Sequence, residues 1–148
     1  MTRLILGPIL KDLSQIGLDR GHVHLMTAYY SGRALSSLQI GAPAVTFACR
    51  LDTNSIDDWV QGFVAPDKLL SCLRELQSRG TRVRLLASPT AHAKLYVGTR
   101  GAIIGSSNLT LSGFGGGQEV VTLLRGDRMI RQAAYVARMY AADLLPES

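Results

Sequence analysis

The chain has 148 residues, 47% of them hydrophobic and 18% charged, the composition of a folded globular protein rather than a disordered one, and the length of a single domain spanning residues 1–148. The formal net charge is +5, and residues 79–148 hold the whole excess: nine lysines and arginines against four acidic residues, where residues 1–78 carry seven of each. No apolar run approaches the roughly 20 residues of a membrane span, residues 1–8 are too short an apolar stretch for a secretory signal, and the two cysteines, Cys49 and Cys72, exclude a disulfide framework; a cytoplasmic protein without a membrane anchor, with both thiols in its core, is expected.

In chain order, residues 22–30 read as a strand with β-forming aromatics at its end. Ser31 caps a helix that runs to about Leu38. Residues 44–50 form a second buried strand. Residues 67–79 form a helix with Leu69, Leu70, Cys72, Leu73 and Leu76 as its apolar stripe, preceded by Pro66 and stopped by Gly80. Residues 81–87 are a third strand. Residues 92–97 and 102–106 are two more, joined by a turn at Gly98, Thr99, Arg100 and Gly101. After a glycine-rich loop at Gly113 and Gly115 to Gly117, placed at the cleft, residues 118–124 form another strand. Residues 127–145 form a long closing helix with Met129, Ile130, Ala133, Val136 and Tyr140 on one side. Strands alternating with helices predict an α/β fold, a sandwich with a central mixed β-sheet flanked by helices.

Chemistry concentrates in residues 92–108. Alternation along a strand puts His92, Lys94 and Tyr96 on one face and Ala93, Leu95 and Val97 on the other, toward the core. His92 and Lys94 are then roughly 7 Å apart along the backbone. A tight turn brings Gly105 and Ser106 back beside them, with Gly105 leaving room and Ser106 and Asn108 supplying hydrogen-bond donors. A histidine nucleophile, a fixed positive charge and neutral donors suit a phosphodiester. The basic half suits a polyanion such as nucleic acid, and the 13 arginines against 3 lysines favour bidentate phosphate contacts; a solvated basic face accounts for the same charges.

The pattern resembles the signature of the phospholipase D superfamily: H-x-K, four residues, D, then G-S-x-N. The matching residues are His92, Lys94, Gly105, Ser106 and Asn108, and Glu119 follows where members often carry a glutamate. The signature aspartate falls at Thr99, and the interval to Gly105 is one residue shorter than the pattern. In the superfamily that aspartate is mainly structural, near the turn after the catalytic strand. Residues 29–35 and 79–89 resemble the nuclease and restriction-endonuclease branch.

The resemblance implies a phospholipase D-like fold and a phosphodiesterase, above all a nuclease on DNA, that needs neither metal nor other cofactor. With one motif in the chain, it implies a homodimer in which each copy gives one histidine to a shared site. His92 would attack phosphorus, and the second copy's His92 would protonate the leaving oxygen. Lys94, Ser106 and Asn108 would bind the phosphate, and Glu119 would accept a hydrogen bond from His92. Two alternatives stand beside it. A catalytically weak nucleic-acid-binding module is motivated by Thr99. A lipid phosphodiesterase ranks last because no amphipathic interfacial helix is evident. His22 and His24 share a strand face but have no third metal ligand in sight, and Tyr29, Tyr30 and Arg33 either rim the cleft or pack.

Overall fold

The computed structural model describes residues 2–6, 9–51, 66–110 and 119–145. The strands β1 (Thr2–Leu6), β2 (His22–Met26), β3 (Ala44–Arg50), β4 (Arg82–Ser88), β5 (Leu95–Val97), β6 (Ala102–Gly105) and β7 (Val120–Leu124) form one sheet in the order β1-β7-β6-β5-β2-β3-β4. The strands β2, β3 and β4 are parallel to one another, and every other pairing is antiparallel. The helices are α1 (Leu10–Gln15), α2 (Gly32–Ser37), α3 (Pro66–Ser78) and α4 (Asp127–Asp143). The expected mixed sheet with flanking helices is therefore what the chain forms.

Strand alternation sorts the core into two layers. Val45, Phe47 and Cys49 of β3, with Val23 and Leu25 of β2, meet Leu13 of α1, Leu35 of α2 and Leu69, Leu73 and Leu76 of α3. On the opposite face Met26, Ala48, Leu95, Val97 and Ala102 meet Ala133, Ala137 and Ala141 of α4. Central strands covered on both faces carry near-continuous apolar sequence, which is why β3 is buried from Ala44 through Cys49. Ser31 caps α2 as expected, its hydroxyl accepting from the Ala34 N–H at 3.2 Å.

Three helix expectations are corrected. In α3, Leu70 is exposed and Cys72 only half-buried. In α4 the buried stripe is Ala133, Ala137 and Ala141, while Val136 is exposed and Met129, Ile130 and Tyr140 are half-buried. Alanines four residues apart share one helix face, and their small side chains let α4 lie close to Ala48 and Ala102 of the sheet. Larger residues are pushed to its flanks. The unforeseen elements are β1 and α1. The first pairs antiparallel with β7; the second packs beside wholly buried Ile9, Leu13 and Ile16, with the Arg3 guanidinium on the Asp12 carboxylate at 2.9 Å. Residue 118 and the glycine run at 113–117 lie outside the described residues.

The β5–β6 turn packs on the loop after α1. The Thr99 N–H donates to the Gly17 carbonyl at 3.1 Å and the Arg100 N–H to that of Ile16 at 2.7 Å. A Cβ on Gly98 would stand 2.2 Å from the Ile16 oxygen, so only glycine fits that approach.

On β2, His24 is buried and its ring stacks on His22, centroids 4.3 Å apart. Burial first, then the nearby His22 and Arg138, pushes its pKa down to about 4 from an ordinary 6.5. An unfolded chain therefore binds this proton more readily than the folded one between those values, and stability falls as pH drops from about 6.5 to about 4, by up to roughly 3 kcal/mol, then levels. Urea unfolding at pH 7 and pH 4.5 measures the loss. His24→Leu is expected to shrink it, and an undiminished loss in that variant excludes His24 as its source.

Candidate active site

The floor of the site is a clamp between the segment after β6 and the end of β2. Asn108 Oδ1 accepts the backbone N–H groups of Ala28 at 3.2 Å and Tyr29 at 3.1 Å. The buried Thr27 hydroxyl accepts from the Leu109 N–H at 3.1 Å and donates to the Tyr29 carbonyl at 2.6 Å. The Ser31 N–H reaches the Leu109 carbonyl at 2.9 Å. Below them the Tyr96 hydroxyl, wholly buried, donates to the Ser107 carbonyl at 2.6 Å. The clamp ends β2 at Met26 instead of Tyr30, since the amides of residues 28 and 29 serve a side chain and not a neighbouring strand. Tyr96 itself lies in the core layer opposite α4, so the strand face that alternation gives it with Lys94 is closed at Tyr96 and opens toward His92.

Above this floor stand His92 and Lys94, in extended chain just before β5. Lys94 Nζ lies 3.2 Å from His92 Nε2. An ammonium only donates, so the contact needs Nε2 unprotonated and the ring proton on Nδ1. Partial burial holds the Lys94 ammonium below the usual lysine range, against the opposing pull of the Glu119 carboxylate. The His92 backbone is fixed from α4: the Tyr140 hydroxyl accepts the N–H groups of His92 at 2.9 Å and Ala93 at 3.2 Å. Sequence reasoning placed Tyr140 on an apolar stripe. Its phenolic hydroxyl was the signal that it needed a polar partner.

Ser106 and Glu119 form the adjoining wall. The Ser106 hydroxyl donates to the Glu119 carboxylate and accepts from the Val120 N–H at 3.1 Å. The Ser106 N–H donates to the Val120 carbonyl at 3.2 Å. Glu119 thus binds Ser106, and the expected hydrogen bond to His92 is absent among the described residues. Gly105 is demanded by packing: a Cβ there would stand 2.5 Å from the Val120 oxygen and 2.7 Å from the Val121 Cα. The room it leaves is filled by β7, not held open for a ligand.

Other candidates lie elsewhere. Thr99 sits in the exposed turn at the far end of β5, its hydroxyl donating to the Gly17 carbonyl at 3.3 Å. Five residues of extended chain, about 16 Å, separate it from Lys94, so the missing aspartate removes no group from the His92 site. Tyr30 does not rim a cleft; it is 2% exposed and packs edge-on to Phe47, centroids 6.0 Å apart. Arg33 is exposed on α2 and Tyr29 half-buried. His22 and His24 do stack, yet the described residues gather no three His, Cys, Asp or Glu side chains. Cys49 is buried, which pushes its thiol up to about 12. No described helix is long and apolar enough to cross a membrane.

No family model and no curated protein matches this chain. Solved structures do. NucT from Helicobacter pylori superposes with a TM-score of 0.60 at 13% identity, covering 94% of each chain. A phospholipase D family member, Nuc from Salmonella typhimurium, gives 0.59 at 13% identity over 93% of each. The chain has a phospholipase D-like fold. TrmBL2, an archaeal chromatin protein with a novel mode of DNA binding, gives 0.56 at 11% identity, over 96% of this chain and 52% of its own. At such identities the likeness is one of backbone path, and the weight of any functional reading rests on the side chains just described.

Asn108 offers a way to separate architecture from ligand binding. Its Oδ1 is committed to the clamp, so its amide Nδ2 is the group left to donate outward. Asn108→Ala is expected to destabilise the chain by about 1–3 kcal/mol, because two N–H groups lose their acceptor. Asn108→Asp keeps the acceptor and removes the donor, so it should unfold near the wild-type midpoint yet bind inorganic phosphate several-fold more weakly. Equal destabilisation by both substitutions would mean that the clamp is not an acceptor-only interaction.

Proposed function

We propose that this protein is a phosphodiesterase of the phospholipase D superfamily, of its single-motif nuclease and restriction-endonuclease-like branch, cleaving DNA in the cytoplasm without a metal. The observation that carries the reading is the 3.2 Å contact between His92 Nε2 and Lys94 Nζ on an open edge, beside Ser106 and above the Asn108 clamp. An unprotonated ring nitrogen next to a fixed ammonium is a nucleophile matched to an anionic ester.

His92 Nε2 attacks phosphorus as the bond to the leaving oxygen breaks, giving a phosphohistidine. The second copy's His92 donates a proton to that oxygen, then takes one from the water that attacks phosphorus and releases His92. Lys94 turns from the ring to a non-bridging oxygen, and the Asn108 amide supports the developing charge. Ser106, held by Glu119, is aimed along the same edge. Tyr140 keeps the His92 backbone in place. The DNA binding of the neighbour TrmBL2 and the basic C-terminal half support a nucleic-acid substrate. Purified protein incubated with plasmid DNA in EDTA is expected to nick it and to accumulate an acid-labile phosphoenzyme. His92→Ala should lower the rate on the order of 10³-fold or more. Binding without cleavage by the wild type would replace the enzyme reading with that of a binding module.

The two-histidine chemistry needs a second copy, because the chain carries one His-x-Lys motif. We place the contact on the apolar strip bordering the site. Ile104, immediately before Gly105, is 45% exposed; Val120, immediately after Glu119, is 55% exposed; and Val136 of α4 lies beside them at 47%. Ile104 and Val136 also line a hollow of about 200 Å³ with Leu95, Leu124 and Met129. Exposed apolar surface continuous with catalytic residues suits an isologous dimer. Sedimentation is expected to give twice the 16.0 kDa chain mass, and Ile104→Arg to give a folded monomer with cleavage lost. A wild-type monomer at micromolar concentration, or an active monomeric variant, would exclude the shared site.

A further inference from the structure

The excess positive charge is not spent at His92. Part of it gathers about one shallow hollow at the other end of the sheet. Cross-strand register sets His22 beside Ala44 and Ala44 beside Arg82, and sets His24 beside Thr46 and Thr46 beside Arg84. Side chains paired in this way leave the same face of the sheet, here the face covered by α4. All of these but His24 line a hollow of about 320 Å³ whose polar rim is His22, Thr46, Arg82 and Arg84. Arg138 of α4 lies close enough for its field to act on both histidines. Arg82, Arg84 and Arg138 are exposed, and none forms an ion pair among the described residues. Three unneutralised guanidiniums repel one another unless an anion sits between them.

The neutral groups of the hollow fit an anion as well. His22 Nε2 and the Thr46 hydroxyl are 2.8 Å apart, a pair that can present a proton outward in either tautomer. Burial, then the positive fields of Arg82, Arg138 and Arg84, holds the His22 pKa below its ordinary value, so the ring adds a donor and not a fourth fixed charge at neutral pH. Under it lies buried His24, with Nδ1 unbonded.

Position gives the hollow its meaning. From Arg84 to Ser88 is about 13 Å of strand and from Arg82 about 20 Å, and Ser88 precedes the His92 segment by four residues. One helix spans both places, since Arg138 acts on the hollow while Tyr140 holds His92 and Ala93. A duplex places phosphates of one strand 3.4 Å apart along its axis, so two sites at opposite ends of the sheet are several steps apart.

We propose that His22, Arg82, Arg84 and Arg138 form a second phosphate-binding site, which holds the DNA backbone several base pairs away from the phosphate at His92. The inference rests on the nucleic-acid reading above and goes beyond it: substrate is gripped at two points, and a diester too short to span them gains nothing from the second. Such contacts position the duplex without reading its sequence.

The test measures binding of a fluorescein-labelled 30-base-pair duplex by anisotropy across a salt series, in a His92→Ala background that keeps the duplex intact. Arg82→Ala with Arg84→Ala is compared with Arg74→Ala, an exposed arginine on α3 in the opposite layer. The double variant is expected to bind on the order of tenfold more weakly and to flatten the slope of log K against log salt by about 2, as two lost phosphate contacts require. Arg74→Ala should leave both unchanged, and Arg82→Lys with Arg84→Lys should restore the slope. With His92 present, turnover of bis(p-nitrophenyl) phosphate by the double variant should equal that of the wild type. Duplex binding and slope unchanged in the double variant would overturn the second site and leave the nuclease reading standing. Failure of the unsubstituted arginine background to bind duplex would remove that reading and the second site together. A loss confined to phosphatidylglycerol vesicles, with duplex binding intact, would assign the hollow to an anionic lipid surface and overturn the proposal.

Discussion

One carboxamide oxygen does more for this architecture than any other single atom. Asn108 Oδ1 takes the N–H groups of Ala28 and Tyr29, two donors that no neighbouring strand takes at the end of β2. A buried amide without a partner would cost about 1–3 kcal/mol, so the oxygen is held where it is needed. From that constraint follow the end of β2, the route of residues 106–109 and the direction of the Asn108 amide. The Thr27 and Tyr96 hydroxyls tie the same segment from the side and from below. Asn108 is therefore a structural part first, and any part it plays toward a ligand is carried by the half of its side chain that the clamp leaves over.

The two ends of the sheet have different tasks. At one end β5 and β6 meet in a turn seated on the loop after α1, where Gly98 and Thr99 secure backbone contacts. At the other, the same two strands release His92 and Lys94 on one side and Ser106 on the other. Thr99 falls at the first end, and His92 and Lys94 fall at the second. A threonine hydroxyl donates to the Gly17 carbonyl there, which a carboxylate could not do.

Helix α4 relates the site to the rest of the surface. Its alanine stripe lets it lie low across the sheet, but a single helix cannot cover a face seven strands wide. What remains open on one side is apolar, at Ile104 and Val120 beside Val136 of the helix; on the other it is cationic, at Arg82 and Arg84. The proposed dimer contact and the proposed second phosphate site are consequences of the same narrow cover. Tyr140 makes the helix part of the site itself, since its hydroxyl fixes the backbone that carries His92.

Much was legible in the residues alone. Apolar periodicity located β3, β4, β7, α3 and α4 to within a few residues, and the capping serine before α2 was placed correctly, because these features depend on neighbours in the chain. The His-x-Lys and Gly-Ser-x-Asn spacings singled out the residues that the fold assembles at one edge. Tertiary structure decided the rest. It chose alanines over valine and methionine as the buried side of α4, because the facing sheet residues are small. It turned Glu119 toward Ser106, and gave Gly105 to the close approach of β7. It set Arg82 and Arg84 around one hollow with His22 through two parallel registers, with β3 between them, joining residues some 60 apart in sequence. Local pattern is written in neighbouring residues, whereas which groups share a hollow is fixed by strand order and register, and no short stretch of sequence contains them.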